Sequence, residues 1–229
     1  MRLEFQKERM TLFEFIDVKY QNILDLPRLF IEKEKLITIV GASGSGKSTI
    51  LRLLNKMLSP TQGRILFNNI DLSQINSVTH RRHVTMLSQN PAMFEGSIRD
   101  NLNVGLKFQD KSLLSDDVLL GILEKVKLKK ELDSSTNTLS GGEKQRLTLG
   151  RVLLLNAEVY LLDEPSSSLD DDTEESIIQM VTEHVRKETK TLVMVTHSKA
   201  IAEKYSDVII EISGGKCCSY RGCNGDRNN

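Results

Sequence analysis

A chain of 229 residues, with 31 Lys+Arg against 31 Asp+Glu, fits one domain or one domain with an embedded subdomain, and its balanced charge leaves no basic footprint for nucleic acid. No apolar run approaches the ~18 residues of a membrane span, and the opening MRLEFQKERM lacks the apolar stretch of a secretory signal. The cysteines Cys217, Cys218 and Cys223 all fall in the tail; the cytosolic setting predicted here argues against a disulfide, and 216-KCCSYRGCNGDRNN-229 has no histidine and no paired C-x-x-C for a metal.

Residues 1–9 are polar, carry no evident chemistry and are expected to be weakly ordered. The first strand is predicted at 12-LFEFIDV-18 and the second at 36-LITIV-40, an apolar run without alternation, as in a strand covered on both faces. The second strand leads into 41-GASGSGKS-48 and a helix over about 47–57. Strand–loop–helix is the setting that G-x-x-x-x-G-K-[ST] requires of a phosphate-binding loop. Gly41, Gly44 and Gly46 permit unusual backbone angles and let N–H groups approach phosphate oxygens. The helix N-terminus adds the positive end of its dipole. Lys47 can bridge the β- and γ-phosphates, and Ser48 can hold Mg²⁺.

Further along come strands at 64-RILF-67 and 83-HVTML-87, the latter followed by Gln89. From about Asn90 to Thr138 strand-like runs are few, so a helical insert is predicted between two sheet-forming halves. Within it 115-SDDVLLGILEKVKL-128 reads as a helix over 116–126, with Ser115 as N-cap and Val118, Ile122 and Val126 on its apolar face. A helix at 142–155 follows 139-LSGGE-143. The strand 159-VYLL-162 ends in Asp163 and Glu164, at the carboxyl edge where open α/β sheets bind ligands. Asp163 suits a second Mg²⁺ ligand. Glu164, turned elsewhere by strand alternation, suits a general base acting on water; capping of the next helix is the plainer reading of these acids. A helix at 172–187, the strand 191-TLVMVT-196, a helix at 198–204 and the strand 208-VIIEI-212 complete the pattern. His197 follows its strand as Gln89 follows its own. A lone histidine is usually structural, but both residues share the sheet edge of Ser48 and Asp163, which favours function. The tail, 214–229, is expected to be weakly ordered.

The loop 41-GASGSGKS-48, Gln89 in 87-LSQNP-91, 139-LSGGE-143, 159-VYLLDEP-165, 167-SSLD-170 and His197 stand in the order found in ATPase subunits of ABC transporters, and the chain resembles that family over roughly residues 11 to 213. The resemblance implies an α/β P-loop NTPase of ABC type, its mainly parallel sheet flanked by helices, with an N-terminal antiparallel β subdomain and an inserted α-helical subdomain. It divides a single ABC ATPase domain, 1–229, into a nucleotide-binding core, 11–89 and 147–213, and a helical subdomain with the signature loop, 90–146.

Residue by residue, the resemblance makes Tyr20 the aromatic that stacks on adenine, with an ordinary core or edge aromatic as the other reading. Gly41 to Thr49 resemble the Walker-A loop, placing Ser43, Ser45 and Thr49 among the ATP contacts beside Gly41, Gly44, Gly46, Lys47 and Ser48. Gln89 is similar to the glutamine that touches Mg²⁺ or the attacking water near the membrane subunit. Asp163 and Glu164 resemble the metal-binding Asp and the catalytic Glu, Ser167 to Asp170 the D-loop, with Asp170 among the ATP contacts, and His197 the switch histidine at the γ-phosphate. Ser140, Gly141, Gly142 and Glu143 resemble the signature loop, which closes over the nucleotide of a second copy. A hydroxyl, unshielded N–H groups and a helix end of about half a positive charge suit a γ-phosphate there, and a twofold pair would bury two ATPs. Glu143 stands where glutamine is commonest, and is expected to face sugar or solvent; Ser168 replaces a common alanine without expected consequence.

These features predict an Mg²⁺-dependent ATPase, cytoplasmic and peripheral on the inner face of the cell membrane, driving a separate integral membrane permease. Repair-type relatives need long coiled coils and translation-type relatives carry two heads, and neither is present; a small-molecule kinase needs neither 139-LSGGE-143 nor His197. Cargo is chosen by the membrane subunit. The segment 87-LSQNPAMFEGSIRDNL-102 is similar to exporter-type ATPases, and 18-VKY-20 with 140-SGGEKQR-146 to a small bacterial group linked to iron or metal efflux.

Overall fold

The computed structural model describes residues 10–223; the predictions for residues 1–9 and 224–229 lie outside them. The fold is α/β. β1 (Thr11–Tyr20), β2 (Leu24–Glu32), β4 (Gln62–Phe67) and β5 (Ile70–Asp71) form an antiparallel sheet in the order β2-β1-β4-β5. The larger sheet runs β10-β9-β3-β8-β7-β6, from β3 (Leu36–Val40), β6 (Val84–Leu87), β7 (Val159–Asp163), β8 (Thr191–Val195), β9 (Val208–Ser213) and β10 (Lys216–Gly222). Its first five strands in chain order pair in parallel and β10 is antiparallel to β9. The helices are α1 (Lys47–Leu54), α2 (Ser77–His83), α3 (Ile98–Lys107), α4 (Asp116–Lys125), α5 (Gly141–Leu154), α6 (Asp171–Lys187) and α7 (Lys199–Tyr205). No helix among the described residues is long and apolar enough to cross a membrane.

Both faces of the larger sheet are covered, which explains why β7 and β8 are buried at every position. One core lies between the sheets and around α1, joining Phe13, Phe15, Ile39, Leu51, Leu161 and Val193. The other lies under the helices of the insert and α6, joining Leu102, Leu147, Tyr160, Leu162 and Val181. Leu161 and its two neighbours thus enter opposite cores, as the pleat requires. Phe13, fully buried, has its ring centroid 4.8 Å from that of Phe67. Phe13→Ala is expected to cost about 3–5 kcal/mol, read as a lower denaturant midpoint with an unchanged slope.

Several elements depart from the sequence reading. β2 was not foreseen because Pro27 interrupts its alternation; it is an edge strand, where a residue without an N–H loses no ladder bond. The polar segment of α2 lacks an apolar stripe, and Asn76 starts the helix by accepting from the N–H groups of Val78 and Thr79. On α4, Ile122 and Val126 are buried as predicted, but Val118 is 45% exposed and Leu119 takes the inward position. Ser115 is the α4 N-cap by position, without a side-chain capping bond. The tail beyond residue 213 is ordered through β10. Gly214 and Gly215, with φ of 52° and 77°, make a two-residue hairpin turn, and Tyr220 donates its hydroxyl to Glu32 Oε1 at 2.9 Å.

Candidate nucleotide site

The phosphate loop leaves β3 at the carboxyl edge of the larger sheet and ends in α1. Gly41 has φ 149°, and a Cβ there would lie 2.1 Å from the carbonyl oxygen of Ile212; at Gly46, φ 102°, it would lie 2.5 Å from Leu24 Cδ2. Both positions therefore demand glycine. Gly46 is also the N-cap of α1 and supplies no capping side chain, so the first-turn N–H groups stay available to an anion. Ser43 and Gly44 are exposed at the loop tip, Ser48 and Thr49 are half-buried, and Ser45 is buried with its hydroxyl oxygen unpartnered. Lys47 folds back over the loop, donating to the carbonyls of Gly41 (2.9 Å) and Ala42 (2.8 Å). Burial lowers its pKa, against the opposing charges of Glu164 and Asp163.

β7 delivers the two acids to different surroundings. Asp163 is 1% exposed, and its Oδ1 accepts from the hydroxyl of Ser48 at 2.9 Å. Burial raises the Asp163 pKa, partly offset by that hydrogen bond. Its Oδ2 is buried with no hydrogen-bond partner, an arrangement that suits a hard cation taking oxygen ligands. Glu164 lies beyond the strand with φ 50°, so a left-handed backbone, rather than strand alternation, sets its direction. Its Oε2 accepts from Gln89 Nε2 at 2.8 Å and its Oε1 from His197 Nε2 at 2.6 Å. The three residues thus meet around one carboxylate, each carried by the end of its own strand. Tyr20 is half-buried at the end of β1 and packs on the first core; the turn after it abuts Gly46 through Ile23 and Leu24, which puts it beside the phosphate loop.

The signature turn stands at the start of α5. Ser140 caps α5: its hydroxyl accepts from the Glu143 N–H (3.3 Å) while Glu143 Oε2 accepts from the Ser140 N–H (2.8 Å). Glu143 Oε1 lies 3.2 Å from Lys130 Nζ. The Ser140 N–H first, and Lys130 second, hold the Glu143 pKa below its ordinary value. Glu143 reaches back onto its own helix end and Lys130 in a solvent-accessible setting, because the capping box and a cation both claim it. A Cβ on Gly141 would meet nothing within 4 Å, whereas one on Gly142 would lie 3.0 Å from the Ser168 carbonyl oxygen. Asp170 is the N-cap of α6, accepting from the Thr173 N–H at 3.0 Å. Among the described residues no hydrogen bond joins Ser140, Glu143 or Asp170 to the phosphate loop of the same chain.

Sequence reasoning missed Gln145 and Lys130. Gln145 is 4% exposed on the face of α5 that also buries Leu149 and Val152; a polar residue on an apolar stripe is the signal that marks it. Lys130 has no such local signal, since its partner lies on another element.

The family model described as ABC transporter matches residues 24–167. The lactococcin-A transport/processing ATP-binding protein LcnC of Lactococcus lactis subsp. lactis is 34% identical over 230 residues, covering 92% of this chain and 31% of the relative. The mycobactin import ATP-binding/permease protein IrtB of Mycolicibacterium smegmatis is 33% identical over 200 residues, covering 85% and 34%. The chain thus spans about a third of the length of these relatives. Among solved structures, the dimeric ATP-binding cassette MJ0796 in a post-hydrolysis state with ADP and Pi is similar at a TM-score of 0.84 and 25% identity, over 94% of this chain and 100% of that one. A bacterial Atm1-family ABC exporter with ATP bound also gives 0.84 at 25% identity, over 93% and 39%. With a family match over more than half its length, the chain belongs to the ABC transporter family.

Proposed function

We propose that this chain is the ATP-binding and ATP-hydrolysing head of an ABC transporter, acting as a pair of copies that enclose two ATPs and drive a membrane permease. The observation that carries the reading is the Glu164 carboxylate held between Gln89 and His197, one residue beyond the Asp163 that bonds Ser48. Mg²⁺, held by Ser48, Asp163 and Gln89, would neutralise charge on the β- and γ-phosphate oxygens. Lys47 exchanges the carbonyls of Gly41 and Ala42 for those phosphates. His197 turns its N–H from Glu164 to the γ-phosphate, which frees Glu164 Oε1 to take a proton from the attacking water. Tyr20 stacks on adenine beside the loop. Phosphate release from ATP, present with Mg²⁺ and abolished by a chelator, tests the reading.

The signature turn serves the partner's nucleotide, and closure follows because that turn meets the γ-phosphate only when the pair is shut. Lys130 cancels the charge that Glu143 brings to this interface. Lys130→Met is expected to raise the ATP concentration for half-maximal turnover several-fold, and the Lys130→Met/Glu143→Gln double variant to restore it. Titrating ATP against all four forms of the cycle measures this; equal shifts in both Glu143 backgrounds would contradict it.

The permease docks on the groove beside Gln89, lined by Met86, Pro91, Phe94, Val104, Phe108 and Arg151. Phe108 is 69% exposed there, an apolar ring suited to a covering partner. That docking would hold the head on the cytoplasmic face of the membrane. Metal or iron export as cargo is supported only by the resemblance of 18-VKY-20 and 140-SGGEKQR-146; the similarity of this chain to relatives named for lactococcin transport and for mycobactin import supports selection of cargo outside the head.

A further inference from the structure

The signature helix holds the backbone of the catalytic loop through one buried side chain. Gln145 Nε2 donates to the carbonyl oxygen of Glu164 at 2.9 Å, and Gln145 Oε1 accepts from the Ser168 N–H at 3.1 Å. Both ends of the amide are thereby committed to main-chain groups of the segment that follows β7. On its other side, the Glu164 N–H donates to the Val195 carbonyl at 3.0 Å. The peptide groups flanking Glu164 are thus pinned from α5 and from β8, and between them the residue keeps a left-handed φ of 50°, a conformation that persists in a non-glycine residue only when its surroundings over-determine it. Three residues before Gln145, the bare Cα of Gly142 lets the Ser168 carbonyl approach α5 closely.

We propose that Gln145 is a positioning residue for hydrolysis: it sets the Glu164 carboxylate by holding that residue's carbonyl, and ties it to the helix whose N-terminus carries the signature turn. This rests on the roles given above to Glu164 and Ser140. In a closed pair the turn at Ser140 meets the partner's nucleotide while Glu164 works on the chain's own. A shift of α5 as the signature turn engages is therefore transmitted through Gln145 to the base of the other site. A buried amide with both ends satisfied suits that task, since releasing either end would strand a polar group away from water.

The test compares Gln145→Met, of similar length but unable to hydrogen-bond, and Gln145→Glu, which keeps the acceptor for the Ser168 N–H and loses the donor to Glu164. Each is made alone and in the Glu164→Gln background, and steady-state phosphate release, fluorescent-nucleotide binding and melting temperature are measured on the purified chain. Each single variant is expected to lose roughly ten- to a hundredfold in kcat, the scale of a misplaced catalytic group, with KM and nucleotide affinity within about twofold of the parent. Added to Glu164→Gln they are expected to cost no further turnover, because the group they position is already gone. Wild-type kcat in either folded variant overturns the proposal, as does a loss that multiplies undiminished onto Glu164→Gln. Should Glu164→Gln itself retain turnover, the reading of the site falls, a different result from a failure of Gln145 alone.

Discussion

Glu164→Gln is expected to bring ATP turnover down by roughly 10²–10⁴-fold, the usual contribution of a positioned general base, while leaving ATP binding intact. The substitution preserves the shape of a side chain that sits between Gln89 and His197, but puts an amide where the proposed base would receive the proton. With hydrolysis stopped, nothing would reopen the proposed pair, so the ATP-bound dimer should persist. Size-exclusion chromatography with and without ATP, beside a phosphate-release assay, reads both consequences. A variant that stays monomeric in ATP and hydrolyses at the wild-type rate would remove Glu164 from the role given to it.

Ser140→Arg is expected to cut turnover about a hundredfold or more, the scale seen when a preorganised donor to a reacting group is removed, with nucleotide affinity of the single subunit unchanged within about twofold. Two effects act together. Arginine cannot accept the Glu143 N–H as the Ser140 hydroxyl does, which loosens the start of α5 by about 1 kcal/mol. Its bulk also fills the exposed turn that is proposed to approach the partner's γ-phosphate. With the site shared between copies, as proposed, wild-type specific activity should rise with enzyme concentration and the variant's should not. An unchanged rate in Ser140→Arg would show that the turn has no part in hydrolysis. Read with the Glu164→Gln result, the two variants separate a failure of the chemistry from a failure of closure.

Much of this was legible without coordinates. Strand, glycine-rich loop and helix from residue 36 to about 57 are specified by adjacent residues, since apolar runs, glycines and a helix start act locally. The same holds for the run ending in Asp163 and Glu164, and for Gln89 and His197, each placed just past an apolar strand. The order of these segments sufficed to indicate the family. Where the local pattern was broken or polar, as in β2 with Pro27 and in α2, the sequence reading failed. β10 failed for another reason: its polar, cysteine-bearing tail acquires order from pairing with β9 and from the Tyr220 bond to Glu32, 188 residues away.

By itself, then, the amino-acid order determined the phosphate loop, the strand-end residues and the α/β architecture, because these follow from backbone preferences and periodicity over a few residues. Only the tertiary structure decided how they face one another. Gln89 and Glu164 are 75 residues apart and His197 and Glu164 33, so their meeting depends on the parallel pairing of β6, β7 and β8. Glu143 turning to Lys130 and Gln145 spanning α5 and the loop after β7 were settled the same way. A side chain's partner is chosen by which charges and N–H groups the packed elements bring within about 3 Å, and no local pattern carries that information.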